Sequence, residues 1–120
     1  MNFDNFTIKS QEAVQKAAQI AAAKNQQAIE SAHLLEGVLQ EGESMVNYIF
    51  QKLGINVGML KSSVERAIDS YPRVSGGEPY LSREANEVLQ KSIEYSKKMG
   101  DQFVTLEAML MALLQTKGTV

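Results

Sequence analysis

The sequence predicts an all-α domain that contains a duplicated helical unit, and two observations indicate this. Segment 29–39 returns 75 positions later as segment 104–114, and the ungapped alignment of residues 7–40 with 82–115 contains seven identities, where unrelated segments would share roughly two. Apolar residues in these segments recur at intervals of three and four positions, which is the helical period. We therefore predict an all-α, pseudo-twofold, duplicated helical-repeat domain.

The first helix of each repeat is predicted to begin after a hydroxyl residue. Thr7 and its repeat equivalent Ser82 are suitable N-caps, because their side-chain oxygens can accept a hydrogen bond from a backbone N–H of the first turn. Alanines at helical spacing in the first of these helices indicate a face that allows close helix approach. Asn25 and its equivalent Gly100 tolerate a left-handed backbone, so we predict that they end these helices.

Three further helices, at about 31–41, 44–53 and 57–70, are predicted to complete the first repeat. Gly42 and Gly54 follow the first two of them and are suitable terminators. The residues expected on their core faces are Leu34, Leu35, Val38, Leu39, Met45, Tyr48, Ile49, Leu53, Leu60, Val64, Ala67 and Ile68.

Segment 71–80 contains both prolines and a glycine pair, which exclude a continuous helix there. We interpret it as a linker between repeat one, residues 6–70, and repeat two, residues 81–120, within a single domain. Helices are predicted at about 83–99 and 106–115. The counterpart of the third helix would begin near position 119, so we expect the second repeat to be incomplete, by truncation or by evolution of a shorter unit, and favour truncation.

Composition excludes several function classes. The chain is 44% hydrophobic, enough for one core, and has no cysteine for a disulfide or a thiolate metal site. Its net charge of −2 and dispersed basic residues argue against nucleic-acid binding. Because no apolar run has membrane-spanning length and residues 1–5 do not resemble a signal peptide, we expect a cytoplasmic, soluble domain that does not bind membranes.

The sequence offers little for catalysis. His33 is the only histidine, and Ser31 lies two positions away, where it faces a different side of the helix. We interpret His33 as a structural imidazole in the first turn of the second helix. No zinc ligand set and no glycine-rich phosphate loop are present, so we predict a domain without enzymatic activity, metal or cofactor of its own.

The two repeats differ on one helix face. The side of the second helix expected to face away from the core carries Ala32, His33 and Glu36, and the equivalent side of the last helix carries Glu107, Ala108 and Met111. Apolar surface beyond the needs of the fold often marks a binding site, and methionine adapts to varied partners. Alternatively, Met109 and Met111 pack against further helices that this sequence lacks.

Asp101 and Glu107 stand at the two ends of the loop that enters the last helix, and we expect both to lie near the Thr7 cap. They are candidates for the polar part of a binding site. The alternative is structural: Asp101 is then a solvated loop residue, and Glu107 interacts favourably with the dipole of the helix whose first turn it occupies.

The doubled pattern of Phe6-Thr7 with His33-Leu34-Leu35, and of Leu81-Ser82 with Gly100-Asp101 and Glu107, resembles the Clp repeat domain. That domain lies at the N-terminus of Clp-type AAA+ unfoldases. Segments 54–60 and 71–77 look most like its ClpB-type disaggregase branch. The resemblance implies a domain tethered to ATPase modules that use ATP and Mg²⁺ and assemble into a homo-hexamer, and it assigns substrate contact to Thr7, Asp101 and Glu107.

The sequence also departs from the family. The related protease-partner branch has Glu-His-Leu-Leu in both repeats and can bind phosphorylated arginine through the paired glutamates. Here Ala32 occupies the first of those positions and only Glu107 remains, while Ala108 stands where histidine is common. We therefore expect two unequal surfaces and no symmetric phosphoarginine site.

Together these observations predict a substrate-binding domain of a protein disaggregase that engages unfolded or aggregated polypeptides through a weak groove, with the isolated domain monomeric. An adaptor-docking domain of a protease-associated unfoldase is the alternative, and a small hydrolase that uses His33 is the least favoured. The expected groove has an apolar floor and a polar rim. The floor comprises Leu89, Ala108 and Met111, and the rim comprises Thr7, Asp101 and Glu107.

Overall fold

The computed structural model describes residues 2–74 and 76–116. It contains six helices and two very short strands in this part of the chain, which confirms the predicted fold class. The helices are α1 (Ile8–Ala23), α2 (Ser31–Glu41), α3 (Glu43–Leu53), α4 (Val57–Asp69), α5 (Arg83–Lys98) and α6 (Leu106–Gln115), and the strands are β1 (Ala28–Ile29) and β2 (Tyr80–Leu81).

Side-chain caps fix where four of the helices begin. The oxygens of Thr7 and Ser82 accept from the backbone N–H groups three residues on, at 3.1 and 3.0 Å, so both predicted caps are confirmed. Asn56 and Thr105 cap α4 and α6 in the same way. The helix ends at Asn25 and Gly100 adopt the left-handed conformation as predicted, with φ of 56° and 75°.

Helix α2 is the centre of the domain, because the other five helices all pack against it. Its residues Leu34, Leu35 and Val38 are completely buried, as predicted. Ala32 and His33 are completely buried as well, so the expectation that they lie on an outward face is wrong: a helix with neighbours on every side has almost no outward face.

Short extended segments of one half of the chain pair with short extended segments of the other half. β1 pairs in parallel with β2, with Ile29 opposite Leu81, and Phe6 forms an isolated parallel bridge with Val104. At the offset of 75 positions, Phe6 corresponds to Leu81 and Ile29 to Val104. The two pairings are therefore equivalent, and in each of them the segment before the first helix of one half pairs with a segment of the other half.

The predicted core face of α3 is only partly right. Val46 and Phe50 are the residues of this helix that are buried, whereas the predicted Tyr48 and Leu53 are 63% and 60% exposed. Gly42 is both the C-cap of α2 and the N-cap of α3, with non-helical φ and ψ of −119° and 39°, so α3 starts at Glu43. Val46 and Phe50 belong to the hydrophobic core, and Met45 and Ile49 are partly buried against it.

Candidate functional site

The start of α1 is joined to the loop before α6 by backbone hydrogen bonds. Thr7 N–H donates to the Val104 carbonyl at 3.0 Å, and Val104 N–H donates to the Asn5 carbonyl at 2.8 Å. The Ser10 hydroxyl also donates to the Val104 carbonyl, at 2.8 Å in a buried position. Because Val104 lies midway along the chain between Asp101 and Glu107, these bonds bring Thr7 to the segment that carries both carboxylates.

The Thr7 hydroxyl already has two partners within the protein. It accepts from Ser10 N–H at 3.1 Å and donates to the Ser10 hydroxyl at 2.8 Å, and the residue is half-buried. Thr7 therefore has a structural role as a helix cap whether or not it contacts a ligand. A ligand would meet it through its methyl group and the remaining lone pair of its oxygen.

Asp101 and Glu107 are both exposed. The Asp101 backbone N–H donates to the Ser96 carbonyl at 2.8 Å, which fixes the turn at the end of α5 and leaves the side chain in solvent. Glu107 lies in the first turn of α6, after the Thr105 cap. Within the described ranges neither carboxylate has a lysine or arginine nitrogen within 4.0 Å, so both can attract a basic partner.

Two of the three residues expected to form an apolar floor are not on the surface. Leu89 and Ala108 are 0% exposed and belong to the hydrophobic core, so this part of the predicted groove is wrong. Helix α6, which contains Ala108, packs against α1, α2 and α5, and helix α5, which contains Leu89, packs against α2 and α6. Met109 is likewise fully buried by the described chain, so it needs no further helix to cover it.

Exposed apolar side chains do occur around the junction, and sequence reasoning found only one of them. Met111 is 41% exposed and follows Glu107 by one helical turn, which places both on one face of α6. Ile8 is 75% exposed and Phe103 is 45% exposed, each next in sequence to a residue of the Thr7–Val104 junction. Ile8 could have been recognised, since it lies nine positions from the buried Ala17 and hence on the opposite side of the helix.

His33 has a structural environment. The ring is fully buried, its Nδ1 accepts from Glu30 N–H at 2.9 Å, and its Nε2 lies 2.7 Å from the Gln26 side-chain oxygen. Burial, and secondarily the charge of Lys24, lower the pKa of His33 to about 4. Because both ring nitrogens are engaged and the Ser31 hydroxyl donates to Glu84 instead, Ser31 and His33 do not form a Ser-His pair.

Among residues 2–74 and 76–116, no helix is long and apolar enough to cross a bilayer. The same residues contain no group of three or more histidine, aspartate or glutamate side chains arranged to hold a metal ion.

A family model described as the Clp repeat (R) N-terminal domain matches residues 5–120. The chain belongs to this family. Over 120 residues it is 61% identical to the chaperone protein ClpB of Bacteroides thetaiotaomicron, an alignment that covers 100% of this chain and 14% of the relative. The ClpB-type resemblance inferred from the sequence is thereby confirmed, and the chain spans about a seventh of the curated relatives it matches.

Solved structures of Clp N-terminal domains share the fold. The Hsp104 N-terminal domain from Candida albicans has a TM-score of 0.87 at 19% identity, over 97% of this chain and 77% of that one. A complex of the ClpV N-domain with a VipB peptide has a TM-score of 0.74 at 22% identity, over 94% of this chain and 70% of that one. At these identities the likeness concerns the fold alone.

Proposed function

We propose that this domain binds unfolded or aggregated polypeptide segments for a ClpB-type disaggregase. The observation that carries the proposal is the hydrogen bond from Thr7 N–H to the Val104 carbonyl, because it brings Thr7 to the loop bounded by Asp101 and Glu107. Exposed Ile8, Phe103 and Met111 supply apolar surface around this polar centre. We name the surface formed by these six residues the junction surface.

The junction surface suits weak and indiscriminate binding. Its apolar side chains are 41–75% exposed, and a bound chain that they contact loses conformational freedom. We expect dissociation constants of roughly micromolar to millimolar. In a homo-hexamer, six copies would act on one client at high effective concentration and raise the avidity.

In this proposal the domain binds its clients and catalyses no reaction itself. ATP and Mg²⁺ would be used by ATPase modules of a longer parent protein, in the cytoplasm. The complex of the ClpV N-domain with a VipB peptide is consistent with peptide binding by this fold. An adaptor-docking role is the other outcome of the test below, and it requires one folded partner of fixed stoichiometry with no response to unfolded chains.

The test is amide chemical-shift mapping with a permanently unfolded, reduced and alkylated protein as the ligand. We expect shifts at Thr7, Asp101 and Glu107. The double variant Asp101→Asn, Glu107→Gln should bind about threefold to tenfold more weakly, because it removes two exposed charges and leaves the core intact.

Glu94→Gln is the control, since Glu94 is an exposed carboxylate within α5 and belongs to neither of the segments that the Thr7–Val104 bond joins. It should bind as the unmodified domain does. Absence of shifts around the junction surface, or equal weakening by the control, would remove the proposal.

A further inference from the structure

Two equivalent turns follow α1 and α5. We call residues 24–28 turn one and residues 99–103 turn two. Asn25 and Gly100 are left-handed at the same position of each, with φ of 56° and 75°. The next N–H group donates back into the helix in both, from Gln26 to Ala21 at 2.9 Å and from Asp101 to Ser96 at 2.8 Å. The backbone therefore leaves both helices along the same course.

Turn one is occupied by the chain's own linker. Val74 N–H donates to the Asn25 carbonyl at 2.7 Å, and Tyr80 N–H donates to the Gln27 carbonyl at 3.1 Å. The Arg73 guanidinium donates to the Lys24 carbonyl at 3.2 Å. A non-helical segment thus binds this turn through backbone N–H groups and one basic side chain.

Turn two has no such occupant among the described residues. The N-terminal segment contacts Val104 through the Asn5 carbonyl. Residues 3–6 form a turn, in which Phe6 N–H donates to the Phe3 carbonyl at 3.0 Å, and this segment makes no backbone hydrogen bond to turn two. No described residue donates a hydrogen bond to the carbonyls of Met99, Gly100 or Gln102, which are the equivalents of the three acceptors in turn one. All five residues of turn two are exposed.

The side chains around turn two define the occupant that would fit. Met99 and Phe103 are 48% and 45% exposed and offer apolar contact. Asp101 replaces Gln26, which in turn one is buried and donates to the Ile68 carbonyl. An exposed carboxylate therefore stands at turn two where turn one has a fully engaged amide, and it favours a basic residue in the bound segment.

We propose that turn two binds an extended polypeptide segment in which a basic residue precedes an aliphatic one, in the manner in which Arg73 and Val74 bind turn one. The aliphatic residue donates its N–H to the Gly100 carbonyl, and the basic side chain reaches the Met99 carbonyl and Asp101. This inference rests on the proposed function and adds a binding mode and a sequence preference to it.

A capped peptide with the sequence of residues 70–79 is the probe, titrated into the labelled domain. Shifts are expected at the amides of residues 100 and 101, since the Met99 and Gly100 carbonyls belong to the peptide units of these two residues. N-methylation of the valine should weaken binding at least fivefold by removing the donor, whereas N-methylation at the position of Gly76 should change it less than twofold. The Arg73→Glu peptide should bind at least fivefold more weakly, and Asp101→Asn in the domain should abolish most of that difference.

Each contrary result is informative. Shifts confined to residues 24–28 would mean that the peptide only displaces the linker from turn one, and would overturn the inference. Equal binding of the two N-methylated peptides would overturn the backbone mode. If the unfolded protein shifts Thr7 and Glu107 while the peptide leaves turn two unperturbed, the proposed function survives and this inference does not.

Discussion

At the scale of single residues, a buried series of hydrogen bonds joins three parts of the first repeat. Glu30 N–H donates to His33 Nδ1, His33 Nε2–H donates to the Gln26 oxygen at 2.7 Å, and the Gln26 amide donates to the Ile68 carbonyl at 2.6 Å. This sequence of bonds requires the neutral ring with its proton on Nε2. A second proton on Nδ1 would face the Glu30 N–H, so protonation of His33 breaks the hydrogen bond between Glu30 and the ring.

The state of His33 makes the stability of the domain depend on pH. Its pKa falls from 6.5 to about 4 on folding, so between these values the unfolded chain binds a proton that the folded chain does not. The free energy of unfolding therefore decreases as the pH falls through this window, by about 2 kcal/mol between pH 7 and pH 5. Urea denaturation at a series of pH values measures it.

His33→Gln is the control for this prediction, because it removes the titrating group. Its unfolding free energy should be lower at pH 7 but nearly constant from pH 7 to pH 5. Asp69 does not interfere, since a hydrogen bond and the charge of Lys24 lower its pKa below 3.8, and its contribution is lost only in more acid solution. An equal pH slope in both proteins would contradict the assignment to His33.

At the scale of helices, α1 and α2 approach each other closely at Gly37. A Cβ atom added at Gly37 would lie 2.2 Å from the Ala13 carbonyl oxygen, a backbone atom that cannot move aside cheaply. Gly37→Ala should therefore destabilise the domain by about 3 kcal/mol or more, despite the better helix propensity of alanine. Thermal or urea unfolding measures the loss.

Gly58→Ala is the matched control, as Gly58 also lies in a helix. A Cβ there would meet the Asn56 side-chain oxygen at 3.2 Å, and a side chain can shift. This variant should remain within about 1 kcal/mol of the unmodified domain. Comparable losses for the two substitutions would show that the α1–α2 contact is not the cause.

Element existence could be predicted well from the sequence, and element orientation less well. The bounds of α2 and α6 match the prediction, since both helices have strong apolar periodicity between clear cap signals. The face of α3 does not, because its short amphipathic pattern leaves the phase open and the junction at Gly42 decides it. The two-residue strands were missed, because segments so short have no periodicity of their own.

At the scale of the whole molecule, the candidate site lies where the two repeats meet. Sequence reasoning placed Thr7 near Asp101 and Glu107, and the hydrogen bond from Thr7 to Val104 shows that these segments meet. It failed for Leu89 and Ala108 because periodicity does not reveal how many neighbours a helix has. The equivalence of Leu39, 2% exposed, and Leu114, 45% exposed, illustrates the same point, since α3 and α4 pack against α2 but have no described counterparts beside α6.

The reciprocal pairings imply that the two halves unfold together, because each half completes a short sheet or bridge of the other. Ser10→Ala tests this, as it removes the buried bond from α1 to the Val104 carbonyl and the bond that Ser10 accepts from the Thr7 hydroxyl, while the carbonyl keeps its bond from Thr7 N–H. We expect a loss of about 1 kcal/mol. Native-state hydrogen exchange should show the same loss at the Leu35 amide in α2 and the Leu110 amide in α6.

Ser62→Ala, on the exposed side of α4, should leave both rates of exchange nearly unchanged. If Ser10→Ala accelerates exchange at Leu110 while Leu35 stays protected, the halves open separately. In that case the segment 99–107 could detach from α1 without unfolding the rest, and the junction surface would exist only part of the time. Equal losses at both amides instead mean that Thr7, Asp101 and Glu107 stay together for as long as the domain is folded, since the bonds that join them break only with the whole core.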